Sequence, residues 1–129
     1  MKKADRQKIF DKYGGKCAYC GEQLQDVWHV DELLPIVRNY IFDKQKGRYI
    51  HDGTCQYPER ITIENQMPAC PSCNINKHSD SLEEFRRRIS GLVVSLNRDS
   101  VQYKVAKRYG LIQETQKPII FYFEQENKK

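Results

Sequence analysis

Apolar positions in this chain fall into short periodic runs separated by longer polar stretches. From Ala4 to Tyr13, the residues Ile9, Phe10 and Tyr13 share one face at helical spacing, and Asp5 near the start suits the positive end of a helix dipole. Gly14-Gly15 stops this predicted helix. Val27 to Val30 reads as a strand that Leu33-Leu34-Pro35 ends. Residues 39–64 mix aromatics, charges, Gly47, Gly53 and Pro58 with no sustained period. They read either as a long surface excursion or as a weak hairpin around Arg48-Tyr49-Ile50, and loops of that length in small domains are often functional. A helix is expected at or just after Cys70-Pro71-Ser72-Cys73. Asp80 opens another, capped as Asp-Ser-Leu-Glu with an acidic first turn. Leu82, Phe85, Ile89, Leu92, Val93 and Leu96 follow at helical spacing and are expected in the core. Asn97 to Ser100 breaks that run, and Val101 to Tyr109 forms a basic helix stopped by Gly110. Ile119 to Phe123, just after Pro118, reads as a terminal strand, and Glu126 to Lys129 as a frayed tail. No internal repeat is present.

The length of 129 residues is that of one domain. No apolar run is long enough to span a bilayer, which argues against a membrane partner. Apolar residues make up 39% and charged residues 30%, so the core is small and a cross-link would be needed to secure it. Lys and Arg number 22 against 17 acidic residues, a net of +5 that leans toward a polyanionic partner without establishing one.

Four of the five cysteines supply that cross-link. Cys17-Ala18-Tyr19-Cys20 and Cys70-Pro71-Ser72-Cys73 each place two thiols on one short turn, and four thiolates complete a tetrahedral structural zinc site. Such a site joins segments about fifty positions apart and contributes on the order of 10–16 kcal/mol in small domains. A disulfide framework fits less well. The chain opens with no apolar signal segment, which points to a reducing, cytoplasmic setting. A redox Cys-x-x-Cys usually stands alone beside a βαβ pattern, and none is evident. Cys55, in a polar stretch, is read as a bystander.

Between and after the cysteine pairs lie Trp28-His29-Val30-Asp31-Glu32-Leu33-Leu34-Pro35, then Glu64-Asn65-Gln66-Met67-Pro68-Ala69, then Asn74-Ile75-Asn76-Lys77-His78. In these segments the chain resembles the HNH nucleases, the ββα-metal family. Their pattern is a Cys pair, Asp-His-x-x-Pro, an Asn, then Cys-x-x-Cys-Asn-x-x-Lys, and Asp31, Pro35, Asn65, Cys70, Cys73, Asn74 and Lys77 match it in register. The resemblance covers residues 14–80. Trp28-His29 and Ser81-Leu82-Glu83-Glu84-Phe85 also look like a small HNH group common in bacteriophage genomes, with residues 81–125 as an extension lacking any catalytic motif. The resemblance implies an α+β fold: a ββα-metal core stapled by Zn²⁺ on Cys17, Cys20, Cys70 and Cys73, followed by C-terminal helices and a final strand. It also implies metal-dependent cleavage of DNA by a phage-encoded protein in a bacterial host.

The chemistry can be stated without the family. Phosphodiester hydrolysis needs a water made nucleophilic and a cation to hold developing charge. A positioned base supplies roughly 10²–10⁴-fold. A hard ion such as Mg²⁺ or Mn²⁺ takes oxygen ligands, which Asp31 and Asn74 offer. By resemblance, Asn65 ties the loop and orients the base, and Lys77 and His78 contact nucleic acid. The chain departs from the family at Glu32, where the pattern has its general-base His. A carboxylate has a reference pKa about two units below imidazole. Three readings follow: Glu32 is a slower base, His29 acts instead from the same strand face as Asp31, or the site is inactive. The rival to an endonuclease is a non-catalytic zinc protein of the same fold that binds nucleic acid or a protein partner, for example a host defence nuclease that it inhibits. Oligomeric state is not legible. His29 also reads as a strand-edge residue. Arg86-Arg87-Arg88, Lys104, Lys107 and Arg108 read first as solvated helix faces, and Tyr13, Tyr103 and Tyr109 as packing residues.

Overall fold

A computed structural model of the chain describes residues 1–126. The first helix, α1 (Lys3–Asp11), buries Ile9 and ends in a turn where Gly14 and Gly15 take φ of +62° and +81°. At Gly15 the space is also closed, because a Cβ would meet the Phe10 ring at 3.0 Å. The chain then folds back on itself. Lys16 bridges to Gln23, and the Cys17 N–H donates to Glu22 O at 2.8 Å, so both thiols of the first pair sit on one small knuckle.

Strands β1 (His29–Glu32) and β4 (Gln66–Ala69) pair antiparallel, with His29 opposite Ala69 and Glu32 opposite Gln66. β1 starts two residues later than its apolar pattern predicts. Pairing with the fully buried β4 sets its limits, and Val27 stays 65% exposed outside the ladder. Helix α2 (Pro71–Lys77) follows directly. Cys70 caps it, its sulfur accepting from the Cys73 N–H, and Pro71 occupies the first turn, where a missing N–H costs nothing. Between β1 and β4 runs a hairpin, β2 (Arg38–Asp43) with β3 (Arg48–Cys55). Of the two readings open for residues 39–64, the hairpin is the one observed. Asp43 Oδ1 closes its turn by accepting from the N–H groups of Gln45 and Lys46 at 2.9 and 3.2 Å.

Three further helices follow: α3 (Leu82–Ser90), α4 (Leu92–Asp99) and α5 (Val101–Arg108). Two expectations are corrected here. The cap of α3 is Ser81, in a reciprocal box with Glu84, while Asp80 pairs with Arg88. The apolar run also does not stay in the core. Phe85 is fully buried, but Gly91 ends α3 and starts α4, which resets the helical phase. Leu92, Val93 and Leu96 are left 41%, 38% and 40% exposed.

The predicted terminal strand at Ile119–Phe123 is likewise replaced, by an extended approach into helix α6 (Tyr122–Glu126). No described strand pairs with this segment. Its N–H groups instead reach the knuckle, Tyr122 to Tyr19 O at 3.0 Å and Phe123 to Ala18 O at 2.8 Å. Arg86 holds it in place with paired bonds to Glu124 at 2.9 and 2.7 Å and one to Ile119 O at 2.6 Å, so this half-buried arginine is engaged within the fold. The expected frayed tail lies outside the described residues beyond Glu126. The architecture is α+β, with two separate two-stranded sheets. Its core gathers Tyr19, Phe85, Phe121 and Phe123 around the knuckle, with Tyr19 edge-on to the other three rings at 5.5, 5.7 and 6.2 Å. No described helix is long and apolar enough to cross a membrane.

Candidate metal centre and cleft

The knuckle and the start of α2 bring Cys17, Cys20, Cys70 and Cys73 together, with all four sulfurs within 4.8 Å of one another. Cys20 Sγ and Cys70 Sγ lie 3.8 Å apart. Four bonds of about 2.3 Å to a central ion place tetrahedral ligands about 3.8 Å apart, so the donor set fits a bound metal. A disulfide would need about 2.05 Å. Without an ion, the thiols divide the charge unevenly. The Cys17 thiol is pulled down to about 4, first by hydrogen bonding with Cys73 and further by backbone N–H groups, including that of Cys70. Burial pushes Cys20 up to about 11, and Cys73 rises because it shares the proton with Cys17. Cys55 lies elsewhere, on β3.

Along β1 opens a cleft of about 500 Å³, lined among others by His29, Asp31, Glu32, Arg38, Asn74 and His78. Residues from β1, from the loop after it and from α2 thus line one cleft. Asp31 is the buried member. Its Oδ2 accepts from the Tyr19 hydroxyl and lies 3.1 Å from Lys77 Nζ, while no described residue bonds to its Oδ1. Burial raises its pKa, and the Lys77 charge and the Tyr19 bond oppose the rise. Burial also lifts Glu32, with Arg38 opposing, since the Arg38 guanidinium reaches within 4.0 Å of its Oε1. This shift narrows the gap between Glu32 and an imidazole as a proton acceptor. His29 sits exposed at the rim of the cleft, and so does His78, which ends α2 with φ of +54°. Asn74 lines the cleft, and no described residue bonds to its side-chain amide.

Asn65 lies outside the cleft and braces it. Its Nδ2 donates to Leu34 O and Arg60 O at 2.9 and 2.8 Å, and its Oδ1 accepts from the Leu34 N–H at 2.8 Å. One amide thereby fixes the turn that follows Asp31 and Glu32. Lys12 secures the approach to β4 from α1, donating to Ile63 O and Gln66 O at 2.6 Å each. Val37 on the cleft wall takes φ of +52°, a strained conformation for a β-branched residue.

One site expectation is corrected. Lys77, expected on nucleic acid, is fully buried and spans from Asp31 to Glu32 O at 3.0 Å. The ammonium is needed inside because Asp31 is, and a buried carboxylate persists when paired. Sequence reasoning missed Tyr19 and Arg38. Tyr19 stands as an unremarkable residue between two cysteines, and its only sequence signal is that position. Arg38 is marked by nothing except its place three residues after Pro35.

Against known proteins, one similarity is informative. The chain is 32% identical over 83 residues to a protein of Bacillus subtilis (strain 168) named "SPbeta prophage-derived putative HNH endonuclease YoqL", a match covering 61% of this chain and 30% of that protein. The chain therefore matches less than a third of that relative's length. No protein-family model matches the chain, and no solved structure does.

Proposed function

We propose that the chain is an HNH-type, metal-dependent DNA endonuclease, with Zn²⁺ on the four cysteines and a second, hard divalent ion in the cleft. The observation that carries the reading is the convergence of His29, Asp31, Glu32, Asn74 and His78 on one cleft, built on the strand pair and helix that hang from the cysteine cluster. The similarity to a protein named as an HNH endonuclease supports it. Four thiolates suit zinc, which would hold the knuckle against α2. Asp31 Oδ1 and the Asn74 amide oxygen are the free oxygen donors for Mg²⁺ or Mn²⁺. Held by those two residues, such an ion would supply the positive charge that the scissile phosphate and leaving oxygen need. Glu32 takes the proton of the attacking water, helped by the burial that raises its pKa. Asn65 keeps the Glu32 loop in place, and His78 at the rim meets the phosphate backbone. In this reading the protein works in the cytoplasm of a bacterial host on phage-encoded instructions, with DNA as its partner.

A second reading is favoured by one observation. The Lys77 ammonium already neutralises Asp31, which weakens that carboxylate as a metal ligand. In that case the protein is a non-catalytic binder of nucleic acid or of another protein. Nicking of supercoiled plasmid with Mg²⁺ or Mn²⁺ separates the two. We expect slow nicking by the unaltered chain, loss of it in Asn74→Ala, and a gain of about 10²-fold in Glu32→His, the effect of a better-matched base. No nicking by either the unaltered chain or Glu32→His would leave the binder as the function. The zinc assignment makes a pH prediction. Protons compete with the ion for thiolates, so metal retention is complete near neutrality and is lost as the pH falls. A colorimetric chelator should register zinc release together with the loss of far-ultraviolet circular dichroism.

A further inference from the structure

The β2–β3 hairpin is inserted between β1 and β4 and joins neither. Strand alternation places Tyr40 and Phe42 on one face, and the register sets His51 opposite Tyr40 and Tyr49 opposite Phe42. The four rings therefore form two cross-strand pairs on a single face, with centroids 5.7 Å apart for Tyr40–His51 and 5.3 Å for Phe42–Tyr49. Aromatic groups of this size usually sit in cores, yet Tyr40, Phe42 and Tyr49 are 58%, 53% and 71% exposed. A contiguous exposed apolar surface marks a place of contact with a partner.

Charge selects the partner. The ribbon and its turn carry Arg38, Lys44, Lys46 and Arg48 against Asp43 and Asp52. Both carboxylates are engaged locally, Asp43 with the N–H groups of its turn and Asp52 with Thr54. With four cationic side chains against these two, the ribbon is net cationic as well as aromatic, which suits a polyanion that presents flat rings. A nucleic acid with unpaired bases meets both demands, whereas an intact duplex keeps its base faces stacked inside. The platform also leads to the candidate site, because Tyr40 and Arg38 line the cleft itself.

We infer that the aromatic face of the β2–β3 ribbon stacks unpaired bases of DNA. The class of substrate drawn into the cleft is then single-stranded DNA, or duplex with an unpaired stretch, rather than intact duplex. The term substrate rests on the endonuclease reading; the stacking itself does not. The test is an anisotropy titration of the full, zinc-loaded chain without added Mg²⁺ or Mn²⁺, using a labelled single-stranded oligonucleotide and the blunt duplex of the same sequence. The single strand should bind more tightly. The double variant Phe42→Ala/Tyr49→Ala should lose about tenfold or more of single-strand affinity while duplex binding is unchanged. Phe42→Trp, which keeps a ring, should retain single-strand binding. Both altered rings are exposed, so the fold should survive. Three results would overturn the inference: equal affinity for duplex and single strand, no loss in the double variant, or a dimer in size exclusion that the double variant abolishes, which would make the face a protein contact. Plasmid nicking by the same preparations separates this inference from the reading beneath it. Nicking with unchanged single-strand affinity in the double variant removes the platform and leaves the nuclease. Lost affinity without any nicking by the unaltered chain removes the nuclease and leaves the platform.

Discussion

Cys70→Ser should leave the chain without zinc and largely unfolded at neutral pH. The residue has two roles at one position. It is one of the four converging thiols, and its sulfur caps α2 by accepting from the Cys73 N–H. Serine can still cap a helix, so a purely local role predicts a mild phenotype. The metal role predicts a severe one. Structural zinc contributes on the order of 10–16 kcal/mol, comparable to the whole stability of a small domain, about 5–15 kcal/mol. The core that remains is small and centres on the knuckle that the metal would hold, with Tyr19 at the middle of the aromatic cluster. Circular dichroism and zinc content should therefore fall together in Cys70→Ser, while Cys55→Ser on the exposed ribbon changes neither. A folded, metal-free Cys70→Ser protein would show that packing alone holds the fold.

The second large effect is expected at Lys77. Lys77→Met removes the cation beside Asp31 and leaves a buried carboxylate with only the Tyr19 hydroxyl at its Oδ2. Breaking a buried pair from one side typically costs about 3–5 kcal/mol, because the remaining charge is uncompensated. The urea midpoint should drop accordingly. Asp31→Asn in the same background should restore most of the loss, since the buried charge is then gone. The pH dependence has a definite sign. Burial already raises Asp31, and removing Lys77 removes an influence that lowers it. A carboxylate whose folded pKa exceeds its unfolded value destabilises the fold at higher pH and stops doing so once protonated. The gap between the unaltered chain and Lys77→Met should thus be widest near neutrality and narrow on acidification. A Lys77 that served only nucleic acid would instead show unchanged stability and weaker DNA binding.

The contrast between these two residues shows what the sequence carried. The cysteine pairs could be read because each is a local device: two thiols on one turn converge whatever the rest of the chain does. The same holds for the helix that Cys70 and Pro71 start, whereas Asn65 was legible only through the family resemblance, since the Leu34 groups it ties lie 31 positions away in the chain. Lys77 could not be read this way. Helical spacing relates Lys77 to Asn74 on α2, but not to the direction in which that side of the helix faces. Packing against β1 decides that Asn74 lines the cleft while Lys77 goes inside.

By itself, then, the sequence determined the mixture of helices and strands and the four-thiol cluster, because turns, caps and short periodic runs are encoded by neighbours along the chain; Asp31, Glu32 and Asn74 were singled out by the family resemblance. The tertiary structure alone decided the rest. It put the Tyr19 hydroxyl and the Lys77 ammonium on one Asp31 oxygen, turned Ile119–Phe123 into a docked approach to α6, left the apolar side of α4 outside the core, and set four rings on one open face of the ribbon. Each of these outcomes depends on which distant surfaces meet. A segment's periodicity fixes which of its own side chains share a face, but the free energy of burial is summed over the whole fold and selects the face that turns inward.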